Sequence, residues 1–278
     1  MTQFTTPSKT IFFPVYTDEV AIADTRTRLE AQFGEPYLQL PFVYPRIERR
    51  SVDGENSEIT TLIEKANPNF QKLQIVGPGN GTHQAAYFFV EYFAKHLDEL
   101  CYVHFDLHPD CYQESQGDLG FDSGSFVNHI IRLPQVKAAV MFGFMRCWHN
   151  NYNPSGEHDR VYTAVHGPVA LRDYSFFKGK NIYISIDADC LSGWHGHMMG
   201  GNLNYGTMVV NLEGIASVGN IVGIDMFGLC KTKQEFEGYR NEGTDQFYIT
   251  STIFELTKDV LNEIKHSEKK GLKLEHGK

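Results

Sequence analysis

The sequence predicts an α/β fold with helices on both faces of a mostly parallel sheet, and three observations predict it. Strand-like and helix-like segments alternate along the chain. The strands are nearly continuous apolar runs. Three short runs of Asp and His each fall just beyond an apolar strand. Parallel strands covered on both faces lose the in-out alternation because neither face meets water, and ligands of such folds gather beyond the carboxyl ends of the strands.

In order, periodicity predicts a strand in TIFFPVY, a helix over residues 18–33, a strand at LQIVG and a helix over HQAAYFFVEYFAKHLDEL. Strands follow at CYVHFD, KAAVMFG, NIYISID and NIVGIDMF, and residues 244–266 read as a closing amphipathic helix. The stretches 111–125, 146–160, 190–206 and 228–243 are rich in Gly, Asn, Ser, Tyr and Trp and read as loops rimming the strand ends. No internal repeat, low-complexity tract or linker interrupts the pattern, so residues 1–278 are expected to form a single domain.

The bulk properties exclude several classes. Hydrophobic content of 41% can fill a sizeable core, no apolar stretch approaches bilayer-spanning length, and MTQFTTPSKTIFFP lacks the basic start and long apolar run of a signal peptide. A cytoplasmic protein is expected. The five cysteines (Cys101, Cys111, Cys147, Cys190, Cys230) are scattered, odd in number and free of any C-x-x-C pair, against both a disulfide framework and a zinc knot. A formal charge of -9 repels nucleic acid and suits a neutral or cationic substrate. The oligomeric state stays open, a homo-oligomer included.

The Asp and His runs carry the chemistry: His83 in VGPGNGTH, Asp106, His108 and Asp110 in VHFDLHPD, and Asp187 and Asp189 in ISIDAD. A lone histidine is more often packed or solvated than a ligand, and Asp at a strand end is a common turn former. The combination tells more. Asp106, His108 and Asp110 alternate with apolar or small residues, which by period two points them to one side, and Asp187 and Asp189 repeat the arrangement. Gathering carboxylates in a low-dielectric place costs several kcal/mol per ion unless cations neutralise them. Carboxylate oxygens favour Mn²⁺ or Mg²⁺, imidazole adds affinity for Mn²⁺, Fe²⁺ or Zn²⁺, and the absence of a thiolate points to a hydrolytic site. Two divalent ions sharing carboxylates acidify a water between them and so supply a nucleophile for a trigonal carbon at neutral pH.

At these motifs the chain resembles the ureohydrolases, the superfamily that includes arginase, agmatinase and formimidoylglutamase. Their pattern runs G-G-D-H, D-A-H-x-D, S-x-D-x-D, a G-G turn, then G-x-D-x-x-E. The counterparts here are GNGTH, DLHPD, SIDAD, Gly200-Gly201 and GIDMFG, in the same order over about residues 73–230. The resemblance implies a three-layer αβα sandwich of the arginase-deacetylase type. It also implies two Mn²⁺ ions, one held by His83, Asp106, Asp110 and Asp187 and the other by Asp106, His108, Asp187 and Asp189, with Asp106 and Asp187 bridging.

Two departures bear on substrate. Gly228 stands where the superfamily places its guanidinium-pairing Glu, which leaves Asp225, Glu235 or Glu237 to supply the anion that a planar guanidinium needs. After Asp110, where arginases acting on the free amino acid present Asn and Ser to its α-carboxylate, the chain has Cys111, Tyr112 and QESQGDLGFDSGSF. An aromatic rim of Tyr112, Phe121, Phe126, Trp148, Tyr152 and Trp194 would suit a substrate whose main chain is already in amide linkage. HFDLHPD with a downstream SGSF looks like a divergent branch that includes peptide arginases, which convert Arg side chains of ribosomal peptides to ornithine. For proton transfer the superfamily's usual His aligns near Val127. That leaves His129, His197, His149, His158 and His195 as candidates beside Asp189.

Other readings stay open: an arginase or agmatinase acting on a small guanidine, a one-metal amide hydrolase of the deacetylase type, or a metal-stabilised peptide-binding protein. Deacetylases also lack the guanidinium Glu, but they do not use the positions of His83 and Asp110 as ligands.

Overall fold

The computed structural model describes residues 9–12, 38–39, 56–76, 83–111, 124–143, 161–165, 171–191 and 203–227. They build one parallel sheet with helices on both faces, a three-layer αβα arrangement. The strands are β1 (Lys9–Phe12), β2 (Leu38–Gln39), β3 (Leu73–Val76), β4 (Leu100–Phe105), β5 (Val136–Phe142), β6 (Val161–Val165), β7 (Asn181–Asp187) and β8 (Asn220–Phe227). Their order across the sheet is β2-β1-β3-β8-β7-β4-β5-β6. The chain therefore passes from β3 to β4 over a gap that β7 and β8 later fill. The helices are α1 (Asn56–Ala66), α2 (Ala86–His96), α3 (Phe126–Arg132) and α4 (Tyr205–Val218).

Period two along the buried strands sorts side chains onto two cores. Cys101, Val103 and Phe105 of β4, with Ile182, Ile184 and Ile186 of β7, pack with Met208, Leu212 and Ile215 of α4. Those three recur at helical spacing, and Asn204 starts the helix by accepting the Thr207 amide at 2.8 Å. The opposite face carries Tyr102 and Tyr183 under Phe88, Phe89 and Phe93 of α2 and Phe126 and Ile130 of α3. Helix α2 is apolar nearly all round because α1 and α3 flank it while the sheet lies beneath. On this face Gly223 is required by space: a Cβ there would lie 2.7 Å from the Tyr183 ring and 2.8 Å from that of Phe93.

The predicted strands from LQIVG onward occur within a residue or two of their expected ends. The start of TIFFPVY lies in β1 (Lys9–Phe12), and residues 13–16 lie outside the described residues. The helix expected over residues 83–100 begins as a single tight turn, His83–Ala85, and ends at His96, because Leu97 is extended and Leu100 already belongs to β4. Helices α1, α3 and α4 and strands β2 and β6 go beyond the expectation. The helices expected over 18–33 and 244–266 lie outside the described residues. No helix among the described residues is long and apolar enough to cross a membrane.

Candidate metal centre

Four neighbouring strands in the middle of the sheet, β3, β8, β7 and β4, deliver the Asp and His runs to one place beyond their carboxyl ends. His83 starts the turn before α2, Asp106, His108 and Asp110 follow β4, and Asp187 ends β7 with Asp189 in the turn after it. Period two alone does not make the β4 run converge. The strand ends at Phe105, the His108 amide turns back to Asp106 Oδ1 at 2.7 Å, and Asp110 takes φ +46°. That left-handed backbone is one that Asp tolerates better than most residues. Gly143, at φ +89° after β5, lets the chain pass the Asp106 carbonyl oxygen, which lies 3.2 Å from where a Cβ would stand.

The geometry divides around Asp106. Its Oδ2 faces His83 Nδ1 at 2.9 Å, and that nitrogen also lies 3.6 Å from Asp187 Oδ2 and 3.7 Å from Asp110 Oδ2. Its Oδ1 lies 3.5 Å from His108 Nδ1, which is 3.2 Å from Asp189 Oδ2. Donors bound side by side to one ion at about 2.1 Å stand about 3 Å apart, so both sets fit a common cation with little movement. The Leu107 and Asp189 amides steady the outer carboxylates, donating to Asp189 Oδ1 at 3.2 Å and Asp187 Oδ1 at 3.0 Å. Two groups have ligand atoms close enough to share an ion, His83, His104, Asp106 and Asp110 in one and Asp106, His108 and Asp189 in the other, with Asp187 beside the first.

Without cations the charges are balanced by protons. Burial pushes Asp187 up to about 8, helped by Asp189 and Asp106. Burial and then Asp106 raise Asp110 well above the carboxylate range and raise Asp189 as well. Burial opposes a charge on His83, yet its bond to Asp106 and the charges of Asp106, Asp187 and Asp225 carry it to about 9. Burial likewise opposes His108, and Asp106 and Asp189 carry it to about 10. Asp106 is held well below its ordinary value: burial pushes it up, and hydrogen bonds from His104, His108 and His83 outweigh that. Metal ions would displace these protons.

Beneath His83 lies a layer that the motifs did not announce. His83 Nε2 meets Ser185 Oγ at 2.7 Å, and Ser185 donates to Asp225 Oδ1 at 2.6 Å while Tyr183 donates to Oδ2 at 2.6 Å. Asp225 is fully buried with both oxygens engaged, so it supports His83 rather than facing a guanidinium. Phe126, expected on an aromatic rim, is also fully buried, its ring 5.0 Å from that of His83. His129 sits in the last turn of α3, edge-on to Tyr87 at 6.3 Å. Tyr112, Phe121, Trp148, Tyr152, Trp194, His149, His158, His195, His197, Gly200, Gly201, Gly228, Glu235 and Glu237 lie outside the described residues. Ser185 and Tyr183 could have been found by extending period two back from Asp187.

The arginase family profile matches residues 71–229, more than half the chain and the span that holds every candidate ligand named above. The chain belongs to the arginase family. It is therefore a ureohydrolase-type, metal-dependent hydrolase. Solved structures agree on the fold. A candidate agmatinase from Clostridium difficile superposes with TM-score 0.68 at 16% identity, covering 93% of this chain and 98% of its own. Bacillus subtilis arginase gives 0.57 at 15% identity, covering 92% and 98%. Formimidoylglutamase from the same species gives 0.57 at 13%, covering 94% and 89%. No curated protein sequence matches the chain.

Proposed function

We infer that residues 1–278 act as one domain that binds two Mn²⁺ ions and hydrolyses a guanidino group, with peptidyl arginine converted to ornithine and urea. The observation that supports the two-ion reading most directly is the divided Asp106 carboxylate, one oxygen toward each histidine set. His83, Asp106, Asp110 and Asp187 would hold one ion, and Asp106, His108, Asp187 and Asp189 the other. Bound there, the ions supply the acidity that makes a water nucleophilic near neutral pH.

The remaining work falls to side chains. Asp189 accepts a proton from the attacking water, and His129 or His197 returns one to the departing amine, as general acid-base transfer requires. Glu235 or Glu237 pairs the guanidinium in place of the Glu missing at Gly228, and Tyr112 and Trp194 line the approach. The peptide substrate is favoured by Cys111 and Tyr112, which replace the polar residues that read a free α-carboxylate. A free guanidine such as agmatine is the second reading, supported by the agmatinase and arginase names of the structural neighbours. A cytoplasmic location fits the scattered cysteines, of which Cys101, Cys111 and Cys190 are buried thiols.

The test offers the Mn²⁺-loaded chain free arginine, agmatine and an Arg-containing peptide in parallel, with urea assay and peptide mass spectrometry. A peptide mass loss of about 42, the balance of Arg plus water giving ornithine plus urea, with little urea from free arginine, supports the peptide reading. Urea from the small guanidines alone supports the second. None from any would move the reading to amide hydrolysis or a metal-stabilised binding role.

A further inference from the structure

In-register pairing lays two rows of side chains across β4, β7 and β8 below the metal ligands: His104, Ser185 and Asp225 in one, Tyr102, Tyr183 and Gly223 in the next. Ser185 and Asp225 serve His83. His104 serves the other side. Its ring is 1% exposed and stacks on that of His83, centroids 5.0 Å apart and planes within 7°. Nδ1 lies 2.9 Å from the Tyr102 hydroxyl, while Nε2 lies 3.3 Å from the His108 carbonyl oxygen and 3.3 Å from Asp106 Oδ2.

These partners fix the tautomer. Only acceptors face Nε2, so the ring proton sits there, and Nδ1 accepts from the Tyr102 hydroxyl. Asp106 consequently meets a nitrogen on each oxygen: Oδ1 accepts the His108 amide at 2.7 Å, and Oδ2 lies 3.3 Å from His104 Nε2, which also holds the carbonyl of His108. We propose that His104, oriented by Tyr102, is a positioning residue that aims the Asp106 carboxylate so that one oxygen serves each metal position. It is not itself a ligand, because Nδ1 belongs to Tyr102 and Nε2 points its proton at the turn that carries His108. This role rests on the two-ion reading above.

The experiment titrates Mn²⁺ by calorimetry into full-length, chelator-treated chain and records the electron paramagnetic resonance of the loaded protein, with circular dichroism checking the fold. The wild type is expected to take up two ions that give a spin-coupled spectrum. His104→Leu is expected to lose about 10- to 100-fold in affinity, the usual cost of removing a group that orients a ligand, and to show isolated-ion signals. His104→Gln, whose amide N–H reaches the Nε2 position, restores the coupled spectrum. Tyr102→Phe keeps the ring packing and shifts affinity in the same direction; it carries the test should His104→Leu fail to fold. Wild-type affinity and coupling in folded His104→Leu or in Tyr102→Phe would overturn the positioning role alone, whereas a wild-type chain that binds no coupled pair would overturn the two-ion reading and this role with it.

Discussion

Replacing Asp187 by Asn should reverse the sign of its effect on stability according to whether metal is present. In the metal-free protein the Asp187 carboxyl is raised from 3.8 to about 8, first by burial and then by Asp189 and Asp106. A folded-state value above the unfolded one means that the stability attached to this proton is whole below about pH 4. It drains away as pH rises toward 8. Each unit is worth about 1.4 kcal/mol, so the roughly three units between the unfolded value and pH 7 set a ceiling on the order of 4 kcal/mol. Protons shared among neighbouring carboxylates lower that to about 2–4 kcal/mol. Asn carries no charge, keeps the volume and can still accept the Asp189 amide that Asp187 Oδ1 holds at 3.0 Å. In chelator at pH 7, urea denaturation followed by circular dichroism should find Asp187→Asn more stable than wild type, with an advantage that widens from pH 5 to pH 8. Excess Mn²⁺ should reverse the order. Saturating one site at a hundredfold its dissociation constant adds about 2.7 kcal/mol, which the wild type gains at both positions and the variant does not. The reasoning fails if the variant is no more stable than wild type in chelator at pH 7, or if added Mn²⁺ stabilises both equally.

Asp106→Asn removes the charge shared by both positions, and it should reduce urea release to background and weaken both ions; a variant with full turnover would refute the bridging role. Ser185→Ala leaves His83 Nε2 and Asp225 Oδ1 without their shared hydroxyl, and should cost about 2–4 kcal/mol by urea denaturation. A change near zero would mean that the layer beneath His83 bears little weight. Gly223→Ala pushes a methyl against the rings of Tyr183 and Phe93 and should cost about 1–3 kcal/mol, read as a lower denaturation midpoint with an unchanged slope.

The central strands were legible because burial on both faces writes them as unbroken apolar runs, as in NIYISID and NIVGIDMF. The Asp and His runs stand out in sequence because few folds tolerate so many carboxylates beside apolar strands without a cation. Helix α4 was hidden: Gly206 and Gly214 dilute its helical signal, and the polar Asn211 sits among Met208, Leu212 and Ile215 on its buried side. Asp225 is a different case. In sequence it is one more acidic residue at a strand end, and only its register with Ser185 shows that it is consumed inside the sheet. His104 reads as one more residue of the β4 run, although period two from Asp106 places it and Tyr102 on the same face. The convergence of the β4 run also depends on a left-handed Asp110, which no side-chain pattern encodes.

The strand order has a consequence for how the enzyme comes into being. During synthesis β3 and β4 emerge early, yet their facing edges wait for β7 and β8, which are made only with residues 181–227. Until then the middle of the future sheet has two bare edges, the kind of surface that recruits other chains. Pairings between such distant segments also form slowly. The piece that closes this breach is β8, which carries Asp225 under His83. Closing the sheet and completing the support of the reaction centre are thus the same event, and a chain arrested before it would lack both.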